Sequence, residues 1–308
     1  MMKFLMARMD GYTPEMLQKL SELGFELLFL DGEEEQRCER DFSDVDAVMC
    51  YQFFNYNDIR QFKSLKYIHT TSAGLDHMPM DYIRERGIRL CNAHDVYSVP
   101  MAEFALCGVL QVYRDAQRFH RLQTEHKWEK FGRNRELGGK RVCIIGAGSI
   151  GTETAKRFRA MGCVVTGLCR HPAPKPEYDA VWHIDRLEEA LRESDIVIST
   201  VPLTDETRHM LNTARFACMK DGAVLVNMSR GAIVDTAALI DAVQSGKLFG
   251  AVIDVCEEEP LPPDSPLWDV ENLILTPHYS FAGEYNTQRL FDLLYTDTKE
   301  WVESLRQE

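Results

Sequence analysis

The stretch RVCIIGAGSIGTETAKRFRAMGCVVTGLCRHP, Arg141–Pro172, decides the fold. It opens on an apolar strand, VCII, passes Gly146, Gly148 and Gly151 in a G-x-G-x-x-G spacing, and enters a helical segment, TETAKRFRAMG, before a second apolar strand. Glycine at these three places permits a tight turn, close approach of backbone to a pyrophosphate, and close packing of helix on strand. A glycine triplet alone also fits an ordinary turn. Strand, loop, helix and strand in this order point to a dinucleotide site.

Dinucleotide folds of this kind keep an acidic residue about 20 residues further on, at the end of the second strand. Cys169 stands 18 residues after Gly151, and Cys169, Arg170 and His171 occupy the expected place. A carboxylate there would bond the ribose hydroxyls of NAD and repel a 2'-phosphate. Without it the repulsion is gone, and Arg170 supplies a planar charged donor for the phosphate, with His171 and Lys175 close in sequence. NADP is therefore the favoured cofactor. NAD stays open, because Arg170 also reads as an ordinary surface arginine.

Outward from this stretch, RVCIIGA, CVVTGLC, DIVISTV, GAVLVNMS, FGAVIDV and NLILTP read as six strands with helices between them, the count of a doubly wound dinucleotide domain. The first hundred residues alternate in the same way. KFLMARM, FELLFL, AVMCY, KYIHTTS and IRLCNA read as short strands, and PEMLQKLSELG reads as a helix opened by Pro and closed by Gly. Such alternation implies a parallel sheet covered on both faces. DGEEEQRCERD reads as a charged surface loop, Pro100 to about His126 as one long helix, and EYNTQRLFDLLYTDTKEWVESL as a closing helix.

Composition bounds the function. The chain has 308 residues, comfortable for two domains, with 45% hydrophobic and 27% charged residues. No run reaches ~18 consecutive apolar residues, so no membrane span is expected. The N-terminus MMKFLMARMD does not read as a secretory signal, which leaves the cytoplasm as the expectation. A formal net charge of -13 argues against nucleic-acid binding. The nine cysteines form no CxxC pair and read as buried free thiols, and no metal-ligand spacing is present, so no metal is expected.

Three polar residues follow apolar strands in the second alternation: Arg230 after GAVLVNMS, Glu259 in DVCEEEP, and His278 after NLILTP. In open parallel sheets, ligands bind outside the carboxyl ends of strands. Together the three suffice to reduce a 2-keto acid beside a nicotinamide: arginine pairs with the carboxylate, histidine protonates the oxygen, and the glutamate holds the imidazole and favours its charged form. Taken singly, each is an ordinary residue at a strand end.

TTSAGLDHMP, PMAEFAL, ELGGKRVCIIGAGSIG, STVPLTDETRHML, LVNMSRGAIVDTAAL, GAVIDVCEEEPLPPDSPLW and NLILTPHYS resemble, in order, the signatures of the D-isomer-specific 2-hydroxyacid dehydrogenase family, over nearly the whole chain. The resemblance implies two doubly wound α/β domains: a Rossmann-type cofactor domain, residues 99–281, inserted in a flavodoxin-like substrate domain, residues 1–98 and 282–308. Hinges would fall near Val96–Pro100 and Ser280–Glu284. It implies Arg230, Glu259 and His278 as the catalytic set, with Ala73 and Gly74 offering N–H groups to the substrate carboxylate. Ser149 and Ile150 would cap the pyrophosphate, Val201 and Pro202 line the adenosine side, and Asp254 bind the nicotinamide amide. A homodimer is implied as well. The chain departs from several relatives at Tyr51-Gln52-Phe53-Phe54, where they carry an arginine-bearing loop. A loop of aromatics there disfavours a phosphorylated substrate and leaves glyoxylate, hydroxypyruvate or another small keto acid. The alternatives are an NAD-dependent D-lactate or phosphoglycerate dehydrogenase, or a cofactor-sensing binding protein of the same fold.

Overall fold

The computed structural model describes residues 1–7, 11–30, 36–130 and 134–307. Arg8 and Met9 of the first expected strand, and Asp31–Glu35 of the expected charged loop, lie outside the described residues. The chain divides into two compact units, Met1–Tyr97 with Gly283–Glu308, and Ser98–Ala282.

The first unit is built on five strands: β1 Met2–Met6, β2 Phe25–Phe29, β3 Ala47–Cys50, β4 Tyr67–Thr70 and β5 Arg89–Asn92. They form one parallel sheet in the order β2-β1-β3-β4-β5, the flavodoxin-like winding. β3 and β4 are buried at every residue because both faces are covered. The closing helix, Asn286–Leu305, returns to this sheet and buries Phe291, Leu294, Trp301 and Val302 among Phe4, Met6 and Tyr67. Trp301 stacks on Tyr67 with ring centroids 4.6 Å apart. The fully buried His69 meets Asp297 of the same helix at 3.2 Å.

The aromatics after β3 are not a loop. Phe53–Tyr56 forms a short helix, and Phe53 is fully buried against Phe42 and Phe62. An apolar ring next to a strand end is drawn into the core, and the chain folds locally to put it there.

The second unit holds seven strands: β6 Arg141–Ile145, β7 Val164–Cys169, β8 Ala180–His183, β9 Ile196–Ser199, β10 Ala223–Asn227, β11 Leu248–Ile253 and β12 Leu273–Leu275. All pair in parallel, in the order β12-β11-β10-β9-β6-β7-β8. The seventh strand, beyond the six expected, is β8. It is a four-residue, half-exposed edge strand running into charged residues, and it carries no long apolar run. The chain reverses winding between β6 and β9, and that switch point is where the glycine loop emerges.

The single helix expected from Pro100 to about His126 is two, Ser98–Tyr113 and Ala116–Thr124. Asp115 between them has φ 53°, a left-handed backbone that an aspartate tolerates and a continuous helix does not. All nine cysteines are free thiols. Only Cys50, Cys143 and Cys163 are buried; Cys107 is exposed and the others are half-buried, which corrects the uniform expectation. Among the described residues no helix is long and apolar enough to cross a membrane.

Candidate active site

The glycine loop is shaped by two close approaches. At Gly146 the chain leaves β6 with φ 108°, which side chains other than hydrogen rarely allow. A Cβ on Gly151 would stand 2.0 Å from the Gly146 carbonyl oxygen, so the helix Ser149–Ala160 packs directly on the turn. Thr200, just past β9, fastens the turn by donating to the carbonyls of Ile145 at 3.1 Å and Gly146 at 2.7 Å. Gly148 provides the helix with no side-chain cap, and the first N–H groups of a helix have no intrahelical acceptor. This cradle fits a pyrophosphate in its N–H donors and helix polarity. The Ser149 hydroxyl, at the cradle, is hydrogen-bonded to that of Ser98.

At the end of β7, Cys169 is half-buried and Arg170 and His171 are exposed. Lys175 turns back onto the glycine loop, its ammonium donating to the Ala147 carbonyl at 2.6 Å. Glu206 is held below the ordinary carboxylate range chiefly by the Thr204 hydroxyl, with Arg170 close enough to add to the effect. Val201 is half-buried and Pro202 exposed in the loop after β9.

Arg230 is presented by a locked turn after β10. The buried Asn227 donates through Nδ2 to the Arg230 carbonyl at 3.0 Å, while its Oδ1 accepts from the Ser229 hydroxyl at 2.9 Å. A Cβ on Gly231 would fall 2.0 Å from the Cys256 carbonyl carbon, so no side chain separates this turn from the one after β11. The half-buried Arg230 donates to the Ser229 carbonyl at 2.8 Å.

His278 is presented by a second carboxylate. Asp254, buried after β11, accepts at Oδ1 from the Thr276 hydroxyl (2.6 Å) and the Tyr279 N–H (2.9 Å), and at Oδ2 from the Ser280 N–H (3.0 Å). Its carbonyl accepts the His278 N–H at 2.7 Å. Four hydrogen bonds to one residue thus fix the loop, with His278 itself at φ 52°.

Glu259 completes the set. Its Oε2 lies 2.7 Å from His278 Nδ1, and its Oε1 accepts the Cys256 N–H at 3.0 Å. The hydrogen bond to Glu259 raises the His278 pKa above its ordinary value, against burial and the opposing charge of Arg230. Burial alone would push the Glu259 carboxyl up. The bonds from His278 and the Cys256 N–H, with the charges of His278 and Arg230, leave it below its ordinary value instead. With Nδ1 engaged by Glu259, Nε2 is the nitrogen left to a substrate. Arg230, Glu259 and His278 therefore come together within one unit, at the carboxyl ends of adjacent strands.

Ala73 and Gly74 belong to the first unit, in the loop after β4, where Asn92 donates to the Ala73 carbonyl at 2.7 Å. Ala73 is exposed and Gly74 half-buried. Among the described residues no group of three His, Cys, Asp or Glu side chains is arranged to hold a metal ion.

A family model described as "D-isomer specific 2-hydroxyacid dehydrogenase, NAD binding domain" matches residues 106–280. The chain belongs to this family. It is similar to a glyoxylate reductase of Thermofilum pendens, 33% identical over 270 residues, covering 82% of this chain and 77% of that one. It is also similar to a hydroxypyruvate reductase of Thermotoga maritima, 38% identical over 220 residues and covering 70% and 71% of the two chains. Among solved structures, a D-isomer specific 2-hydroxyacid dehydrogenase from Xanthobacter autotrophicus Py2, in complex with NADPH and MES, superposes with a TM-score of 0.79 at 28% identity, covering 98% and 95%. As a D-isomer specific 2-hydroxyacid dehydrogenase, the chain is an NAD(P)-dependent oxidoreductase.

The structure brings together Arg230, Glu259 and His278, which the sequence singles out, and adds what holds them. Asn227 and Ser229 stand beside Arg230 in VNMSRG and would draw notice only as polar residues ending an apolar strand. Thr200 beneath the glycine loop and the loop-holding bonds of Asp254 carry no local signal, because each is a contact between strand ends far apart in sequence.

Proposed function

We propose that this enzyme reduces a small unphosphorylated 2-keto acid, of the glyoxylate or hydroxypyruvate type, to the D-2-hydroxy acid. The observation that carries the reading is the 2.7 Å contact between Glu259 and His278 beside Arg230, on the sheet that also bears the glycine cradle. The names of the relatives, glyoxylate reductase and hydroxypyruvate reductase, point the same way. A reduced nicotinamide bound at the cradle supplies the hydride. Arg230 pairs with the substrate carboxylate, His278 Nε2 delivers a proton to the keto oxygen, and Glu259 keeps the imidazole charged and aimed. Gly146, Gly148, Ser149, Ile150 and Gly151 receive the pyrophosphate, Val201 and Pro202 flank the adenosine, and Asp254 serves the nicotinamide amide. Purified protein assayed with NADPH or NADH and a panel of 2-keto acids tests the reading. Absence of turnover with every acid refutes it.

The pH dependence follows from the pair. Reduction needs protonated His278, so the rate is full below the His278 pKa and is lost as pH rises through it. Glu259→Gln removes the largest cause that raises that pKa. The decline in the mutant then sets in at lower pH than in wild type, as a pH profile of keto-acid reduction measures. An unmoved profile assigns the tuning elsewhere.

NADPH is the preferred cofactor in this reading, supported by the exposed Arg170 and His171 at the end of β7 and by Lys175 on the glycine loop. Arg170→Ala weakens NADPH by ~10–100-fold and NADH much less, as expected for one charge-assisted contact. Cofactor fluorescence titration reads both, and equal losses sink the preference. Two copies pair through the helix Ser98–Tyr113, whose Leu106 and Leu110 are only partly buried. Light scattering at micromolar concentration reports a dimer in that case and a monomer otherwise.

A further inference from the structure

Two of the glutamates in Glu257-Glu258-Glu259 meet histidines, and the second unit holds all of them. Glu259 faces His278. Glu257 faces a different one, its Oε2 lying 2.8 Å from His209 Nε2. Its Oε1 accepts from the Thr236 N–H at 3.0 Å and from the Thr236 hydroxyl at 2.6 Å. No step of the proposed reaction uses Glu257, His209 or Thr236. Both partners are fastened to the segment that leaves Arg230. Thr236 opens the helix Thr236–Gln244, shortly after that arginine. His209 stands in the loop after β9, where its N–H donates to the Ala232 carbonyl at 2.7 Å. Leu211 of the same loop donates to the Ile233 carbonyl at 3.0 Å. Close packing of Gly231 on Cys256 limits how near the two turns can come, but a steric stop exerts no pull. The Glu257 carboxylate supplies one. An exposed ion pair alone contributes little. Here the same carboxylate also accepts two hydrogen bonds at the N-terminus of a nine-residue helix, where negative charge is favoured. Burial would push the Glu257 carboxyl up, but the bonds from Thr236 and His209 leave it below its ordinary value.

We propose that Glu257 is a positioning residue: with His209 and Thr236 it clamps the turn bearing Glu259 to the turn bearing Arg230, and so sets where Glu259 meets His278. For its meaning in catalysis the inference rests on the reductase reading above. Arg230, Glu259 and His278 follow three different strands, β10, β11 and β12, and the clamp joins the first two turns side chain to backbone. Without it, the Cys256–Glu259 turn is held to its neighbour by packing alone. The Glu259 carboxylate can then drift from His278 Nδ1, and the Arg230 turn loses the tether at its exit. Misplacement by about 1 Å costs catalysis up to about 10²-fold, even when its cause lies away from the reacting atoms.

The test is histidine-ring NMR of the full chain across pH, with the His278 signal assigned by its loss in His278→Asn, alongside kcat/KM for keto-acid reduction. Glu257→Ala lowers the His278 pKa toward that of Glu259→Gln, and lowers kcat/KM by about ten- to a hundred-fold. Glu257→Gln restores most of both, because its amide oxygen still accepts from Thr236. The two variants lose the same negative charge, so the difference between them reads the clamp and not the field. Thermal melting checks that each variant folds. Where Glu257→Ala does not fold, Thr236→Val, which loses the hydroxyl donor, decides in its place by a fall in the same pKa. An unmoved His278 pKa in the deciding variant, or an equal fall in Glu257→Gln, overturns the proposal and leaves the reductase reading standing. Wild-type enzyme that reduces no 2-keto acid overturns that reading instead, while the NMR result still decides the clamp.

Discussion

Replacing His278 by alanine lowers keto-acid turnover by ~10²–10⁴ while the enzyme still binds its reduced cofactor, the loss expected for a general acid. The reason is the division of labour on the ring. Nδ1 is committed to Glu259 at 2.7 Å, so in the proposed reaction Nε2 meets the keto oxygen, and alanine removes it. Alanine also sits poorly at φ 52°, and backbone distortion alone would damage the site. His278→Asn separates the two effects, because asparagine tolerates a left-handed backbone and carries no dissociable proton at neutral pH. Stopped-flow measurement of hydride transfer, with cofactor affinity measured alongside, checks both variants. Hydride transfer restored in His278→Asn would place the proton donor on another residue.

Under the proposed function Arg230→Ala lowers kcat/KM by ~10²–10⁴, the loss of two charge-assisted hydrogen bonds to the substrate carboxylate at about 1.5–3 kcal/mol each. Arg230→Lys recovers only part of this. An ammonium keeps the charge but cannot offer two parallel N–H donors to one carboxylate. The pH profile separates this residue from a generic structural one. Arg230 opposes protonation of His278, so its removal raises the histidine pKa and extends reduction to higher pH. A variant that lost turnover with no change in that profile would place Arg230 away from the proton-transfer pair. Steady-state kinetics across pH supplies both readouts.

The fold was legible where chemistry and spacing coincide within one stretch. Gly146, Gly148 and Gly151 follow one apolar strand and precede a helix, and the structure turns there for the reason glycine was needed: Gly146 is left-handed and Gly151 has no room for a Cβ. The β8 strand was illegible because a short half-exposed edge segment lacks an apolar pattern. The break at Asp115 was illegible because apolar periodicity continues through it. In the candidate site, Arg230, Glu259 and His278 each announce themselves as a polar residue after a strand. Their supports do not, since Asp254 reads in sequence like any acid ending a strand. Its four bonds to the His278 loop depend on β11 and β12 lying side by side, a register no local pattern encodes.

The absence of any space between Gly231 and the Cys256 carbonyl has a consequence for how the gene can vary. One turn carries the arginine and the other leads, three residues later, to the glutamate, and each turn is the other's nearest wall. A codon gained or lost in either would push backbone into backbone, because neither has a side chain there to give way. Loops on the surface accept insertions freely by comparison. Related chains should therefore differ in length almost anywhere except across Asn227–Gly231 and Asp254–Glu259, and at Gly231 even a methyl side chain finds no room.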